Sequence, residues 1–487
     1  MASLRNKAIK GAAWSLTGRI LQKGSQFIIG IFLARLLAPS EYGLVAMAGV
    51  FIFITYAFVD SGFGVALIQK KECSEADYST TFYINLVLSI FFFLLFYFLA
   101  PYIAVFYGKP SLTKIIRILS LVIILYALAI VQNSIIQREV NFKLKTRIEF
   151  IAQVFSGVIA IAMAYQGLGV WALVWKILIN QFLINIQLWL KKSWFPRIEF
   201  SMRSFHELFS FSSKLLLSSI INRTFEQIYR LVVGKFFPAK ELGFYTRAEQ
   251  FKNLPSQTVS GALMSFLLPV ISRMQEEPER MKNATKKVLK VIMYFNVNGM
   301  ILLGIIAHPM IYVLLGERWL GTVPFLQLLI FTGILYPVHA INVEILTALG
   351  RTDLFLKIEL LKKLVAIPAV ALGIFVGINA MILGMIGGSV LALAINTHYT
   401  KKLINFGMTE QIKSISKSLL ISIIMILLFA PMIYFSFPFK DPLYQMIVVS
   451  SGAAVLVLLL SKILKMEEYY EIKNIIIDIK NKRYGSK

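Results

Sequence analysis

Cysteine is nearly absent from this chain: of 487 residues only Cys73 is one. An intrachain disulfide is therefore excluded, and no cysteine-based metal site is expected. Histidine is almost as scarce. His206, His308, His339 and His398 lie too far apart in sequence to form a His-x-x-x-His ligand pair. Acidic residues number 25 against 50 basic ones. The resulting excess of positive charge does not point to nucleic acid, because the charges lie between apolar stretches and not in one polar region. Few segments alternate with period two, which argues against a β-barrel. Neither metal nor cofactor is expected.

What the chain has is apolar length. Hydrophobic residues make up 57% of it, whereas soluble domains stay at ~45–50%. Stretches of about 20 apolar residues recur from end to end, the length at which a helix crosses a bilayer. The expected class is an all-α polytopic membrane protein. About fourteen spans are expected, near 12–36, 43–68, 79–105, 112–135, 148–167, 170–190, 208–236, 243–271, 289–315, 322–348, 354–376, 380–400, 414–437 and 443–464. The first is expected to be a span, not a signal peptide, since it runs about 27 residues and no small-residue cleavage site closes it. The connections are too short to hold a soluble domain.

Lysine and arginine in the connections set an expected orientation. With the N-terminus in the cytoplasm, the cytoplasmic segments hold about 30 basic residues and the opposite loops about seven. Arg5, Lys7, Lys10, Arg138, Lys143, Lys145, Lys191, Lys192, Lys286, Lys287, Lys401 and Lys402 all fall on the cytoplasmic side. An even number of spans returns the C-terminus to that side. There 466–487 has the spacing of an amphipathic helix able to lie on the membrane face, and a solvated tail fits it equally well.

Two segments resemble each other at an offset of 200 residues: "IFLARLLAPSEYG" at 31–43 and "LVVGKFFPAKELG" at 231–243. Arg35 matches Lys235, Glu41 matches Glu241 and Gly43 matches Gly243. The expected organisation is a duplication: a first lobe at 1–204 with spans 1–6, a second at 205–405 with spans 7–12, two closing spans at 406–465, and the tail. An even number of spans per half makes the repeats parallel, an arrangement of secondary transporters whose substrate site lies between the halves. "GLGVW" and "GMIGGS" are expected to let helices approach closely, and Pro324, Pro337 and Pro368 to kink spans.

The charges inside the spans carry the functional reading. A charge at the bilayer centre costs ~2.5–3.5 kcal/mol on insertion scales. In the first span Arg19, Gln22, Lys23 and Gln26 stand at i, i+3, i+4 and i+7, one polar stripe. In the seventh, Arg223, Glu226, Gln227 and Arg230 repeat the spacing. Arg247 and Glu249 follow in the eighth, and Asp60 closes the core of the second in "FVDSGFG". These stripes are expected to line a shared hydrated cavity suited to an anion, phosphate or pyrophosphate above all. The candidate binding residues are Arg19, Lys23, Gln26, Arg223, Gln227, Arg230 and Arg247. Asp60, Glu226 and Glu249 are candidates for an ion-coupling role or for structural partners of the arginines.

Residues 33–69, "LARLLAPSEYGLVAMAGVF…FVDSGFGVALIQ", and 231–255, "LVVGKFFPAKELGFYTRAEQFKNLP", resemble the polysaccharide transporter family, the Wzx-type flippases. That family belongs to the multidrug/oligosaccharidyl-lipid/polysaccharide exporter superfamily. The resemblance implies two six-helix lobes in a V around a central cavity, plus two C-terminal helices. It implies translocation of undecaprenyl-pyrophosphate-linked oligosaccharide across the bacterial cytoplasmic membrane, for export of O-antigen, capsule or exopolysaccharide. The implied partners are that lipid-linked glycan, membrane lipids, H+ or Na+, and a polysaccharide polymerase with its export machinery. The implied cationic cavity corresponds to Arg19, Lys23, Arg223, Arg230 and Arg247. The family often has an aspartate in the seventh span, where this sequence departs from the pattern with Glu226 or Gln227. A lipid II or multidrug transporter of the same superfamily remains open. A membrane glycan polymerase or ligase is disfavoured by the short external loops, so the chain is expected to be a carrier and not an enzyme.

Overall fold

A computed structural model describes residues 18, 21–60, 62–191, 194–435, 440–471 and 473–474. Every element among them is helical. Contacts divide the chain into two compact units, Met1–Thr246 and Arg247–Lys487.

The first unit begins with α1 at 21–36. It continues through α2 (Pro39–Asp60), α3 (Phe63–Gln69), α4 (Glu75–Tyr107), α5 (Leu112–Leu119), α6 (Leu121–Arg138), α7 (Phe142–Tyr165), α8 (Val170–Leu190) and α9 (Met202–Phe236). It ends within α10 (Ala239–Ile271). Within it α7 packs on α8, α4 on α6, and α9 on α2, α3 and α4. The second unit holds α11 (Pro278–Ile305), α12 (Ala307–Leu315), α13 (Thr322–Ala348), α14 (Thr352–Phe375), α15 (Ile378–Ile404), α16 (Met408–Tyr434) and α17 (Pro442–Ile463). There α14 packs on α15, α11 on α16, and α13 on both α15 and α11.

The surface shows what surrounds the bundle. On α4, Val87, Phe91, Leu94, Phe98, Tyr102 and Val105 are all exposed and recur at helical spacing. A continuous apolar stripe of that kind would be costly in water and is at home against acyl chains. Ten helical stretches among the described residues are long and apolar enough to cross a membrane: α2, α4, α5 with α6, α7, α8, α11, α13, α15, α16 and α17. The protein is an integral, multi-pass membrane protein. The count of about fourteen is not reached on this measure, the difference lying in α1, α9, α10 and α14. In α9 the apolar run is interrupted by Arg223, Glu226 and Arg230, and in α14 by Glu359, Lys362 and Lys363.

Three expected continuous spans are broken. The stretch 43–68 is α2 and α3, separated at Gly62, whose φ of 73° is left-handed backbone that suits glycine. The stretch 112–135 divides at Ser120 between α5 and α6, and 289–315 divides at Ile306 between α11 and α12. The glycine motifs also divide by role. Gly384 of "GMIGGS" packs α15 on α14, a Cβ there falling 2.8 Å from Ala369 Cα. "GLGVW" is instead a turn between α7 and α8, with Gly167 at φ 79° and Gly169 at φ 55°. Pro337 and Pro368 lie inside α13 and α14, while Pro324 falls in the first turn of α13, which a proline tolerates.

The two similar segments share a local hydrogen bond. Glu41 N–H donates to Ala38 O and Glu241 N–H to Pro238 O, at 3.0 and 2.9 Å, so the two helix entries fold alike at the offset of 200. The Glu41 carboxylate also accepts from Ala38 N at 2.7 Å.

Candidate functional site

The motif "FVDSGFG" explains how a carboxylate is held inside the first unit. Asp60 is the last residue of α2, and the left-handed Gly62 turns the chain directly into α3. The Gly64 backbone N–H, in the opening turn of α3, then hydrogen-bonds to Asp60. A carboxylate at a helix N-terminus satisfies a donor that the helix cannot and meets the positive end of its dipole. Gly64 leaves the room for this contact, since a Cβ there would fall 2.9 Å from Asp60 Oδ1. Ser134 of α6 closes the other side, its hydroxyl donating to Gly64 O at 3.2 Å.

Three other side chains meet at Asp60. Tyr56 stands one turn earlier on α2, and its ring lies against Tyr126 of α6 with centroids 4.4 Å apart. Arg223, half-buried on α9, donates a hydrogen bond to the Tyr126 hydroxyl and interacts electrostatically with Asp60 and Tyr56. An arginine keeps its charge in any protein setting. Here the Asp60 carboxylate and the Tyr126 hydroxyl both act on it. Tyr126 also lines a cavity of about 160 Å³ among α6, α7 and α8, where Asn133, Lys145, Glu149 and Gln181 meet the apolar Ile148, Ile184 and Leu188.

The other expected residues are placed as follows. Arg19 lies outside the described residues, as does 475–487 of the tail. Lys23 and Gln26 are exposed on α1. Ile29 fits against Gly157, which marks the side of α1 turned to α7. Lys23 lies roughly 120° around the helix from Ile29 at 100° per residue. On α9, Glu226 is exposed while Gln227 is 8% exposed and accepts from Arg230 Nη1 at 3.0 Å. Arg247 and Glu249 belong to the second unit. Arg247 is 7% exposed, donates to Gln250 Oε1 at 2.6 Å, and lies 5.5 Å over the Trp319 ring. The structure thus brings together Asp60 and Arg223 and buries Gln227 and Arg247.

Tyr56 and Tyr126 were not among the expected residues. A signal for them exists: Tyr56 is one turn from Asp60 on the same face, and Tyr126 is the one polar side chain in "LVIILYALAIV".

The helical fold is one that solved membrane transporters share. It superposes on a solved lipid II flippase MurJ in an inward closed conformation with a TM-score of 0.75, covering 94% of this chain and 98% of that one at 14% identity. The family model described as polysaccharide biosynthesis protein matches residues 32–324, and the chain belongs to that family. Among its relatives, the teichuronic acid biosynthesis protein TuaB of Bacillus subtilis (strain 168) is 26% identical over 73% of this chain and 74% of its own length. The succinoglycan biosynthesis transport protein ExoT of Rhizobium meliloti (strain 1021) is 28% identical over 77% of this chain and 76% of its own.

Proposed function

We propose that this protein is a flippase that carries undecaprenyl-pyrophosphate-linked oligosaccharide across the bacterial cytoplasmic membrane, for assembly of a surface polysaccharide. The observation that carries this reading is Arg223, a permanent cation held by Tyr126 and Asp60 inside a membrane bundle. A purely apolar packing role would not require a charge there, given its cost. A guanidinium offers a planar fork of donors to phosphate oxygens, and the low-dielectric surroundings strengthen the attraction. The exposed Lys23 and Gln26 of α1 extend the polar surface available to an anionic head group. The names of the relatives, one of them a transport protein, agree with a carrier rather than an enzyme.

In this reading both termini are cytoplasmic, the pyrophosphate enters from the cytoplasmic leaflet, and the site is exposed to each face in turn while the polyprenyl tail stays in the bilayer. Arg19 and Arg230 complete the cationic set. Asp60 holds Arg223 in place, and a polymerase receives the flipped unit.

The test is leaflet-specific labelling of lipid-linked oligosaccharide in cells that depend on this protein. Arg223→Ala and Lys23→Ala, expressed at wild-type level, are expected to trap the glycan in the cytoplasmic leaflet. Normal periplasmic exposure in both variants would overturn the assignment.

A further inference from the structure

The cavity beside Tyr126 is lined by one face of each of three helices. Tyr126 and Asn133 stand at i and i+7 on α6, Lys145 and Glu149 at i and i+4 on α7, and Gln181, Ile184 and Leu188 at i, i+3 and i+7 on α8. Each spacing returns the helix to the same side. The cavity lies towards the C-terminal ends of α6 and α8 and the N-terminal end of α7. In the proposed orientation these are the cytoplasmic ends.

Its polar groups have few partners within the protein. Among the described residues the side chains of Asn133, Lys145 and Glu149 make no hydrogen bond or ion pair. Lys145 acts on the Glu149 carboxylate from one turn away without closing on it. Gln181 Nε2 reaches Leu125 O only at 3.5 Å, and that carbonyl already accepts from Asn185 at 2.7 Å. Nearby amides outside the cavity are engaged: Gln187 donates to Ile148 O at 3.2 Å and Gln132 to Trp194 O at 2.7 Å. Polar side chains gathered without partners inside a membrane bundle call for a ligand or water to complete them.

The set of groups restricts the ligand. An acyl chain would leave both charges and both amides unmet. An anion is opposed by Glu149 and a cation by Lys145. A neutral molecule rich in hydroxyls suits all four, since a hydroxyl donates to Glu149 and the amide oxygens and accepts from Lys145 and the amide nitrogens. The apolar Ile148, Ile184 and Leu188 match the C–H face that a sugar ring presents beside its hydroxyls. A volume of about 160 Å³ suits one ring and not a chain of them. Tyr126 indicates which ring. It lines this cavity and also accepts the Arg223 hydrogen bond, so a phosphate held at the guanidinium has the cavity for a neighbour.

We infer that this cavity binds the first sugar of the glycan, the one bonded to the pyrophosphate, and that Asn133, Glu149 and Gln181 select its hydroxyl pattern. The inference rests on the proposed function, which places the pyrophosphate at Arg223. The remaining sugars of the repeat unit lie outside the cavity, so selection falls on the first.

The experiment measures the binding of two lipids to the full-length protein in nanodiscs: undecaprenyl pyrophosphate, and the lipid-linked oligosaccharide extracted from cells that lack this protein. The second is expected to bind wild type roughly tenfold or more tightly than the first, the added contacts being hydrogen bonds to sugar hydroxyls. Asn133→Leu removes one of those contacts without changing charge. It is expected to erase most of the difference while undecaprenyl pyrophosphate binds as before. Gln181→Leu, on a different helix, repeats the test if Asn133→Leu lowers the melting temperature. Glu149→Gln separates a contact from a field. It removes a negative charge, so a purely electrostatic role predicts tighter binding of both lipids, whereas a hydroxyl contact predicts weaker binding of the glycan-bearing lipid alone. Equal affinity of wild type for the two lipids, or an equal change for both in every variant, would mean that the cavity holds only water and overturns the inference. Undecaprenyl pyrophosphate that binds Arg223→Ala as well as wild type would instead count against the anion site of the proposed function. The gain from the glycan, and its loss in Asn133→Leu, would still be read.

Discussion

Gly43 and Gly243, the two glycines related by the internal repeat, each face the backbone of the other's helix entry. A Cβ on Gly43 would lie 1.8 Å from the Ala239 carbonyl oxygen, and one on Gly243 would lie 2.0 Å from that of Pro39. Pro39 and Ala239 are themselves repeat partners, so the contact is reciprocal within the first unit. Only glycine permits this approach at both positions, because the obstacle is main chain and cannot rotate aside. Gly43→Val and Gly243→Val are each expected to destabilise the purified protein by roughly 1–3 kcal/mol, the usual cost of overpacking. Thermal melting of the two variants in detergent checks this. The near-symmetry predicts losses of similar size, and wild-type melting in either would contradict the close approach.

A second glycine prediction separates function from stability. Gly64→Ala places a methyl against Asp60 Oδ1 at 2.9 Å and Ser134 Oγ at 3.4 Å, both side-chain atoms that can move. The fold should tolerate the change, whereas Asp60 should lose its place beside Arg223. The expected outcome is a melting temperature close to wild type with a several-fold fall in surface polysaccharide. Equal export by this variant and wild type would show that the position of Asp60 is immaterial.

The start of the tail is tied to α11 by two ion pairs, Lys290 with Glu467 at 2.6 Å and Lys287 with Glu471 at 2.6 Å. The hydrogen bond from Lys290 holds the Glu467 carboxyl below its ordinary value of 4.5. A lowered carboxylate pKa means that its contribution is complete above pH 4.5 and fades as pH falls through the lowered value. The pairs are largely exposed, so each contributes little and salt weakens both. A spin label at position 474 should be immobile at pH 7 in low salt and mobile in acid or in about 1 M salt, where the Debye length is ~3 Å. Glu467→Gln should raise its mobility at pH 7. A label that is equally mobile under all these conditions would exclude docking through these pairs.

The sequence made the solvent and the helical class legible, because apolar length is a local property. It also showed that Asp60 and Arg223 sit where a bilayer disfavours them. Their meeting was not legible, since Asp60 and Arg223 lie far apart in the chain, on α2 and α9, and no local pattern states which faces pack. The breaks at Gly62, Ser120 and Ile306 were hidden for a different reason. Each interrupts a run that is apolar on both sides of the break, so a span-length window passes over it. Gln227 and Arg247 show the limit of reading polar stripes: a long polar side chain on a helix can turn inward to a neighbour such as Arg230 or Trp319 instead of facing a cavity.

Tyr126 offers the sharpest test of how Arg223 is held. Its ring is fixed by Tyr56 at 4.4 Å, and its hydroxyl receives the Arg223 hydrogen bond. Tyr126→Phe preserves the first contact and deletes the second. A hydrogen bond to a charged group is worth ~1.5–3 kcal/mol, and a loss in that range should appear in denaturation. Export should fall because the guanidinium is no longer aimed. Arg223→Lys keeps the charge but not the fork, and should be at least as defective as Tyr126→Phe. Combining Tyr126→Phe with Arg223→Lys should add little to the worse single variant, since both remove one interaction. Additive effects of the pair, measured by leaflet labelling at matched expression, would mean that Tyr126 and Arg223 act separately.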